Sequence, residues 1–395
     1  LLGLGALGRA HRLRWSADSA RPLVAITGSA GKTTTRVATA AVLRTLGPPV
    51  HASAGNLNNA VGIPVVLLGL EPAHALAVVE VGTSSRGEIT HGASLCEPTV
   101  GVLTLVAAAH TADIGSVDDV AVEKGALLAA LAPSGVAVIN GDDARAWGQR
   151  GRSPAARALR YGLGPEADVR VVARTPDGLS RSRLQLSLSP AARALGASFD
   201  ALTVSTPLIG VAGAYAVAAA VASALAIAAD RLDPDAIAAA LGSLAGEEGR
   251  LRTCPGPDGA VLIDDSYNAN RASVEASLVT ASELARADGR RLVAVLGEMR
   301  ELGALSASEH RAVGEAAARA GVAVLVAVQG DAAHLADAAR RPGLDVLFVP
   351  DAAAALDALE ARRQPGDVIL VKGSRGVGLD RLVAALSSEP EHPAR

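Results

Sequence analysis

Short runs of β-branched and aliphatic residues alternate along the chain with longer alanine-rich stretches. That alternation is the pattern of βαβ units built around a parallel sheet. Residues 23–26 predict a first strand, followed by a glycine loop and a helix over 33–46. Further strands are predicted over 75–81, 99–106 and 135–140. Residues 151–207 differ, with short alternating polar and apolar segments broken by Gly and Pro, and predict a small antiparallel insertion. Beyond an alanine-rich helix and the stretch GSLAGEEGR, which reads as a hinge, strands are predicted over 261–263, 292–296, 322–328, 346–349 and 368–371. The expected fold is therefore α/β: a central P-loop-type parallel-sheet domain over 21–243, then a Rossmann-like α/β domain over 244–395.

Composition narrows what such a protein binds. The 395 residues carry a formal net charge of −3, so no basic face is expected for nucleic acid or an anionic membrane. Aromatic residues make up only 2%, which leaves Ala, Val and Leu to fill the cores. The two cysteines, Cys96 and Cys254, lie far apart and form no CxxC pair, which argues against a disulfide framework or a zinc site and for a reducing, cytoplasmic setting. The run over 211–229 approaches the roughly 20 residues that span a bilayer, but it is mostly alanine and reads as a buried helix. Residues 1–15 contain three arginines and no cleavage site, so no secretory signal is expected there.

Candidate chemistry begins after the first strand, at Thr27-Gly28-Ser29-Ala30-Gly31-Lys32-Thr33-Thr34. A glycine loop between a strand and a helix aims several backbone N–H groups at a phosphate, and the helix dipole adds attraction. Lys32 would reach the β- and γ-phosphates, and the Thr33 hydroxyl would ligate Mg²⁺. The full pattern wants a glycine five residues before Gly31, where this chain has Ile26, so the motif is the shorter G-x-x-G-K-T form. Glu80 and His110 fall at the ends of two further predicted strands, and ligands of open parallel sheets sit at such ends. Together with the loop they outline a divalent-cation site, although magnesium prefers oxygen donors to a histidine.

Eight segments occur in the order found in the Mur ligases: ITGSAGKTTT, SAGNLNNAVGIPVVLLGL, VVEVGTSSRGEI, AAAH…GSVDDVAVEKGALLAAL, GRL, IDDSYNANRAS, LGEMRELG and ILVKGSRG. The chain resembles that family over nearly its whole length, and DDSYNAN with GEMRELG resembles the members that add D-alanyl-D-alanine. The resemblance implies an ATP-dependent amide ligase of peptidoglycan precursor synthesis. In that reaction the tripeptide carboxylate of UDP-N-acetylmuramoyl-tripeptide attacks the γ-phosphate of ATP. The amine of D-Ala-D-Ala then displaces phosphate from the acyl phosphate. It further implies two magnesium ions, with Thr33 and Glu80 on one and His110 on the other, and no partner beyond these substrates, the protein acting as a monomer.

Residue by residue, the resemblance assigns the loop Gly28, Ser29, Ala30, Gly31, Lys32, Thr33 and Thr34 to the nucleotide. Lys124, 14 residues after His110, matches the lysine that relatives carbamylate into a carboxylate-like magnesium ligand; the plainer reading is a surface lysine paired with Glu123 or Asp119. Arg250, Asp265, Ser266 and Asn268 match positions that close over the nucleotide. Asn56 and Asn59 match a substrate loop, and Lys372, Ser374 and Arg375 would take the incoming dipeptide's carboxylate.

Two departures stand against the family pattern. Relatives begin with a small UDP-gripping domain, whereas residues 1–20 resemble only the linker that follows it, so either truncation or a part supplied elsewhere is expected. Near the adenine, Ala212, Gly213 and Tyr215 replace a His-Asn and a second Asn, and Leu105 replaces an asparagine. Two rival readings remain open. One is another ligase of the Mur or folylpolyglutamate type; the other is a nucleotide-binding protein without catalysis. Each lost buried hydrogen-bonding group costs about 1–3 kcal/mol, so ATP binding measured by calorimetry is expected to be weaker than in relatives that keep those groups.

Overall fold

A computed structural model describes residues 2–340 and 343–387 and divides into two compact units. The first comprises Leu1–Arg174, Arg183–Thr206 and Ala212–Leu244; the second comprises Thr175–Ser182, Pro207–Val211 and Ala245–Arg395.

In the first unit the strands are β1 (Leu23–Thr27), β2 (Val50–Ala52), β3 (Leu76–Glu80), β4 (Val100–Leu103), β5 (Val136–Asn140), β6 (Arg157–Gly162), β7 (Val169–Pro176), β8 (Ser182–Leu188) and β9 (Ala201–Thr206). They form one sheet in the order β2-β3-β1-β4-β5-β6-β7-β8-β9. The pairs from β2 through to β6 are all parallel. β1, β3, β4 and β5 are buried along their whole length, as strands covered on both faces must be. Because β1 leads by way of β2 to β3 on one side and β4 follows on the other, the connections diverge at β1, the place where open α/β sheets bind ligands.

Two expectations about this unit change. β6 is not part of an antiparallel insertion: it pairs in parallel with β5, from Val136 opposite Arg157 to Asn140 opposite Tyr161. Its alternating pattern reflects one solvated face rather than a separate sheet. β4 stops at Leu103, short of the predicted end, because the next residue turns to the phosphate loop: Thr104 N donates to Thr27 O at 3.0 Å, and its hydroxyl donates to Ala30 O at 2.6 Å.

Near the start of the chain, Leu2–Trp15 forms a helix. Gly8 allows its close approach to Pro64, whose Cα would lie 2.9 Å from a Cβ at that position. The buried Arg12 donates to the Cys96 carbonyl at 3.0 Å, satisfying the end of the helix Glu88–Cys96. The long apolar helix spans Gly210–Ala228, and Ala214, Ala216, Ala220 and Ala224 are all buried in it. By length and composition it is the one described helix able to cross a membrane, but most of it is buried inside the protein, as a core helix is.

The second unit holds β10 (Arg252–Pro255), β11 (Val261–Asp265), β12 (Leu292–Gly297), β13 (Val324–Val328), β14 (Asp345–Val349) and β15 (Val368–Lys372). Their order is β10-β11-β15-β12-β13-β14, parallel except for β10, which runs against β11 at the edge. Val293, Val295, Val326, Ile369 and Val371 lie at the centre of its core. The five strands predicted for this half are present within a few residues of their expected ends.

One backbone approach in the first unit governs the asparagine loop. A Cβ at Gly62 would stand 2.6 Å from the Leu57 backbone, so the loop 54–61 can fold back on the helix Gly62–Leu68 only over a glycine. Gly62→Ala is expected to lower the unfolding free energy by about 1–3 kcal/mol, read as a shifted midpoint in urea denaturation.

Candidate functional site

The phosphate loop is built by two glycines and braced by β4. Gly31 takes φ 82° at the start of the helix Lys32–Arg44, and a Cβ at Gly28 would run into the Thr104 hydroxyl. Ser29 N donates to Leu105 O at 2.7 Å, and its hydroxyl donates to Ala107 O at 3.1 Å. The loop is therefore held from β4 and the residues after it before any ligand arrives. Lys32 folds back and donates to Gly28 O at 2.8 Å, placing its ammonium over the loop. Thr33 is buried behind it.

Glu80, at the end of β3, is almost wholly buried. Arg36 Nε donates to its Oε1 at 3.0 Å, and Asn58 Nδ2 donates to its Oε2 at 3.3 Å. Arg36 also donates to the Ser53 carbonyl, and the Ser53 hydroxyl accepts from Glu80 N at 3.2 Å. A buried carboxylate needs such partners. Neither Arg36 nor Asn58 stood out in the sequence, yet the signals were there. Arg36 lies four residues after Lys32, one helical turn on, and Asn58 sits inside AGNLNN. Of the two asparagines expected to meet substrate, Asn56 is exposed, while Asn59 Oδ1 accepts from Val61 N and Gly62 N at 3.1 and 2.9 Å.

Lys124 is not a surface lysine. It sits in the helix Val117–Ala129 with 1% of its surface exposed, and it donates no hydrogen bond among the described residues. Its suggested surface partners are engaged elsewhere. Glu123 accepts from Gly87 N and Ile89 N, both at 2.9 Å, and Asp119 closes a capping box with Ser116. Burial first, and then the charge of Lys32, push the Lys124 amine well below its ordinary value, against the pull of Glu123 and Glu88.

Glu88 ties the neighbourhood together. Burial works to raise its carboxyl, but it accepts from Ser84 N at 2.6 Å, from Ser85 N at 3.1 Å and from the Thr83 hydroxyl at 3.2 Å. With the charge of His110 added, these hold it below the usual carboxylate range. His110 itself adopts φ 56°, a left-handed conformation uncommon outside glycine, at the start of the helix Thr111–Ile114. Lys32, Lys124, Glu88 and His110 thus act on one another at one end of the sheet. Beside them lies a cavity of about 290 Å³ lined by Asn59, Ile63, Gly82, Arg86, Glu88 and His91. Among the described residues no three His, Cys, Asp or Glu side chains gather closely enough to cage a metal ion. Of the residues expected near the adenine, Tyr215 donates its hydroxyl to Asp142 at 3.0 Å, and Leu105 braces the loop through its carbonyl.

In the second unit, Asp265 ends β11 beside Lys372 at the end of β15. Lys372 Nζ donates to Asp265 Oδ2 at 2.6 Å and to Asn268 O at 2.9 Å, with 2% of the residue exposed. Ser277 also donates to Asp265 Oδ2 at 2.6 Å, and Leu251 N donates to its Oδ1 at 3.1 Å. Ser374 is buried and accepts from Arg300 N at 3.0 Å. In this arrangement the three side chains hold the protein's own loops, while the Lys372 ammonium keeps a third N–H and the Ser374 hydroxyl keeps its proton to donate. Ser266 is likewise buried, donating to Asp264 Oδ1 at 2.6 Å. Asn268 and Arg375 are exposed, and Arg250 is half-buried.

Comparison with known proteins agrees with this architecture. The Mur ligase middle domain matches residues 26–224, and the Mur ligase glutamate ligase domain matches residues 249–375. The UDP-N-acetylmuramoyl-tripeptide–D-alanyl-D-alanine ligase of Escherichia coli is 33% identical over 370 residues, covering 92% of this chain and 76% of that protein. The enzyme of the same name from Synechocystis is 33% identical over 95% of this chain and 76% of its own length. A crystal structure of MurF from Acinetobacter baumannii superposes with a TM-score of 0.85 at 28% identity, over 98% of this chain and 80% of that one. With both of its α/β units matched and a third of its residues shared with ligases along nearly its whole length, the chain belongs to the Mur ligase family.

Proposed function

We propose that the chain is an ATP-dependent ligase that joins D-alanyl-D-alanine to UDP-N-acetylmuramoyl-tripeptide, releasing ADP and phosphate. The observation that carries this reading is the 33% identity to relatives of that name across 92% and 95% of the chain. The site supports it chemically. The tripeptide carboxylate attacks the γ-phosphorus of ATP, the bond to the β-phosphate oxygen breaks, and ADP leaves. The dipeptide amine then attacks the acyl carbon, a proton is lost, and inorganic phosphate departs. Such a sequence calls for charge neutralisation on the moving phosphoryl group more than for an acid or a base.

Lys32, over the braced loop, is the cation best placed to supply that neutralisation. Gly28, Ser29, Ala30, Gly31, Thr33 and Thr34 form the rest of the phosphate cradle, and Asn56 and Asn59 lie on the loop that would face the muramoyl substrate. Magnesium, when bound, would neutralise phosphate charge. Thr33, Glu80, His110 and a carbamylated Lys124 are the residues to hold it. The donor set fits only if Glu80 is shared with Arg36 and if Lys124 carries an oxygen donor. Lys124 is suited to that modification. An amine pushed towards its neutral form is nucleophilic: it adds to CO₂, forms a C–N bond and loses a proton. The resulting anion would sit beside Lys32. In the second unit Arg250, Asp265 and Asn268 are the candidates for the nucleotide, and Lys372, Ser374 and Arg375 those for the dipeptide. A cytoplasmic setting accords with these substrates.

Phosphate release should require ATP, the muramoyl tripeptide and D-Ala-D-Ala together; release that ignores the dipeptide would overturn the assignment. Lys32→Ala should lower kcat/KM by about 10³-fold, the scale of losing a phosphoryl-stabilising cation. With ¹³C-bicarbonate, a carbamate resonance present in the wild type should vanish in Lys124→Gln. Burial also sets a pH signature. A lysine whose folded-state pKa is depressed stabilises the fold above its unfolded pKa and loses that contribution as pH falls, because the unfolded chain binds the extra proton. In CO₂-free buffer, Lys124→Met should be more stable than wild type at pH 7 by about 1–4 kcal/mol. The gap should narrow towards pH 10 in denaturation measured across that range.

A further inference from the structure

Two arginines of the second unit are drawn to one aromatic ring. The Arg250 guanidinium carbon lies 3.7 Å from the centroid of Tyr267, and that of Arg375 lies 5.4 Å from it. The two cations are therefore no farther apart than those distances combined. Neither side chain makes an ion pair or hydrogen bond among the described residues. The neighbouring Arg300 differs, since its Nε meets Glu298 Oε2 at 3.2 Å. Two guanidiniums within that reach carry like charges with no bonded counter-ion, and each keeps its planar fork of N–H donors unused. An oxyanion that both forks reach offsets the repulsion and takes up their donors.

The three loops that carry these side chains are not free to drift. Gly249, at φ 69°, accepts from Tyr267 N at 3.2 Å and donates to Asp264 Oδ2 at 2.8 Å. A Cβ at Gly249 would stand 2.9 Å from Tyr267 Cβ, so this approach exists only with glycine. Leu251 N and Lys372 both hold Asp265, two residues before Tyr267, and Lys372 stands three residues before Arg375. The backbone thus delivers both guanidiniums to the ring.

We propose that Tyr267 is a positioning residue that gathers Arg250 and Arg375 around a single oxyanion of the reactants, a carboxylate or a phosphate oxygen. The identification of the reactants rests on the ligase reading above; the two-arginine clamp does not. Tyr267 acts through its ring face, which stacks the guanidiniums, and not through its hydroxyl.

The test uses the full chain labelled with ¹⁵N at arginine. The Nε–H resonances of Arg250 and Arg375 are assigned with Arg250→Lys and Arg375→Lys, and inorganic phosphate and D-Ala-D-Ala are titrated in separately. Both resonances should move together with one midpoint in at least one titration. Movement with phosphate assigns the clamp to the nucleotide side, and movement with the dipeptide assigns it to the acceptor carboxylate. Tyr267→Phe should keep that midpoint within about twofold, and Tyr267→Leu should weaken it about tenfold, the scale of losing the stack. Resonances that move independently, that respond to neither probe, or that are indifferent to Tyr267→Leu would overturn the proposal, as would Tyr267→Phe behaving like Tyr267→Leu. Thermal unfolding of each variant checks that the fold persists. Loss of dipeptide-dependent phosphate release with an intact arginine titration would instead count against the ligase reading alone.

Discussion

Each unit is organised around a carboxylate buried at the end of a parallel strand, where an unpaired charge is not tolerated. In the first, Glu80 ends β3 and is held by Arg36 and Asn58. In the second, Asp265 ends β11 and is held by Lys372, Ser277 and the Leu251 backbone. Satisfying these two groups fixes the loops around them. Arg36 belongs to the helix that begins at the phosphate loop, so its bond to Glu80 ties that helix to the neighbouring strand. Lys372 precedes the loop that carries Arg375, so its bond to Asp265 ties that loop to the one carrying Tyr267.

The same constraint explains why some residues face a ligand and others do not. Lys372, Ser374 and Asp265 each spend bonds on loops of the second unit, whereas Arg250 and Arg375 are cations whose donors are all unused among the described residues. In the first unit Glu123 and Asp119 are spent on helix starts. Lys124 is thereby left buried beside Lys32 without a bonded counter-ion, and a buried amine in that position is driven towards its neutral form. The reactivity proposed for it follows from what its neighbours do elsewhere.

Much of this was legible in the residue order. The strands β1, β3, β5, β11, β12, β13 and β15 announced themselves as apolar runs because a strand covered on both faces has no polar side to show. Gly28, Gly31, Lys32 and Thr33 were readable because a phosphate loop needs those residue types in one short stretch. β6 was misread because alternation signals one solvated face and does not say which strand lies alongside or in which direction. The early end of β4 was hidden because it depends on Thr104 meeting the carbonyl of Ala30, which is 74 residues away.

The linear chain therefore carried the fold class, the positions of most parallel strands along it and the family, since apolar periodicity and motif spacing are local properties. Which charges are spent and which stay available was settled by packing. Lys124 and Lys372 are both lysines next to recognisable motifs, and nothing local distinguishes them. One lies against the carboxylate of a neighbouring strand and is neutralised, while the other is buried with no bonded partner. The approach of Arg250 and Arg375 to the Tyr267 ring joins residues more than a hundred positions apart. Such distances close only when parallel strands come into register, and charge compensation is decided at that point.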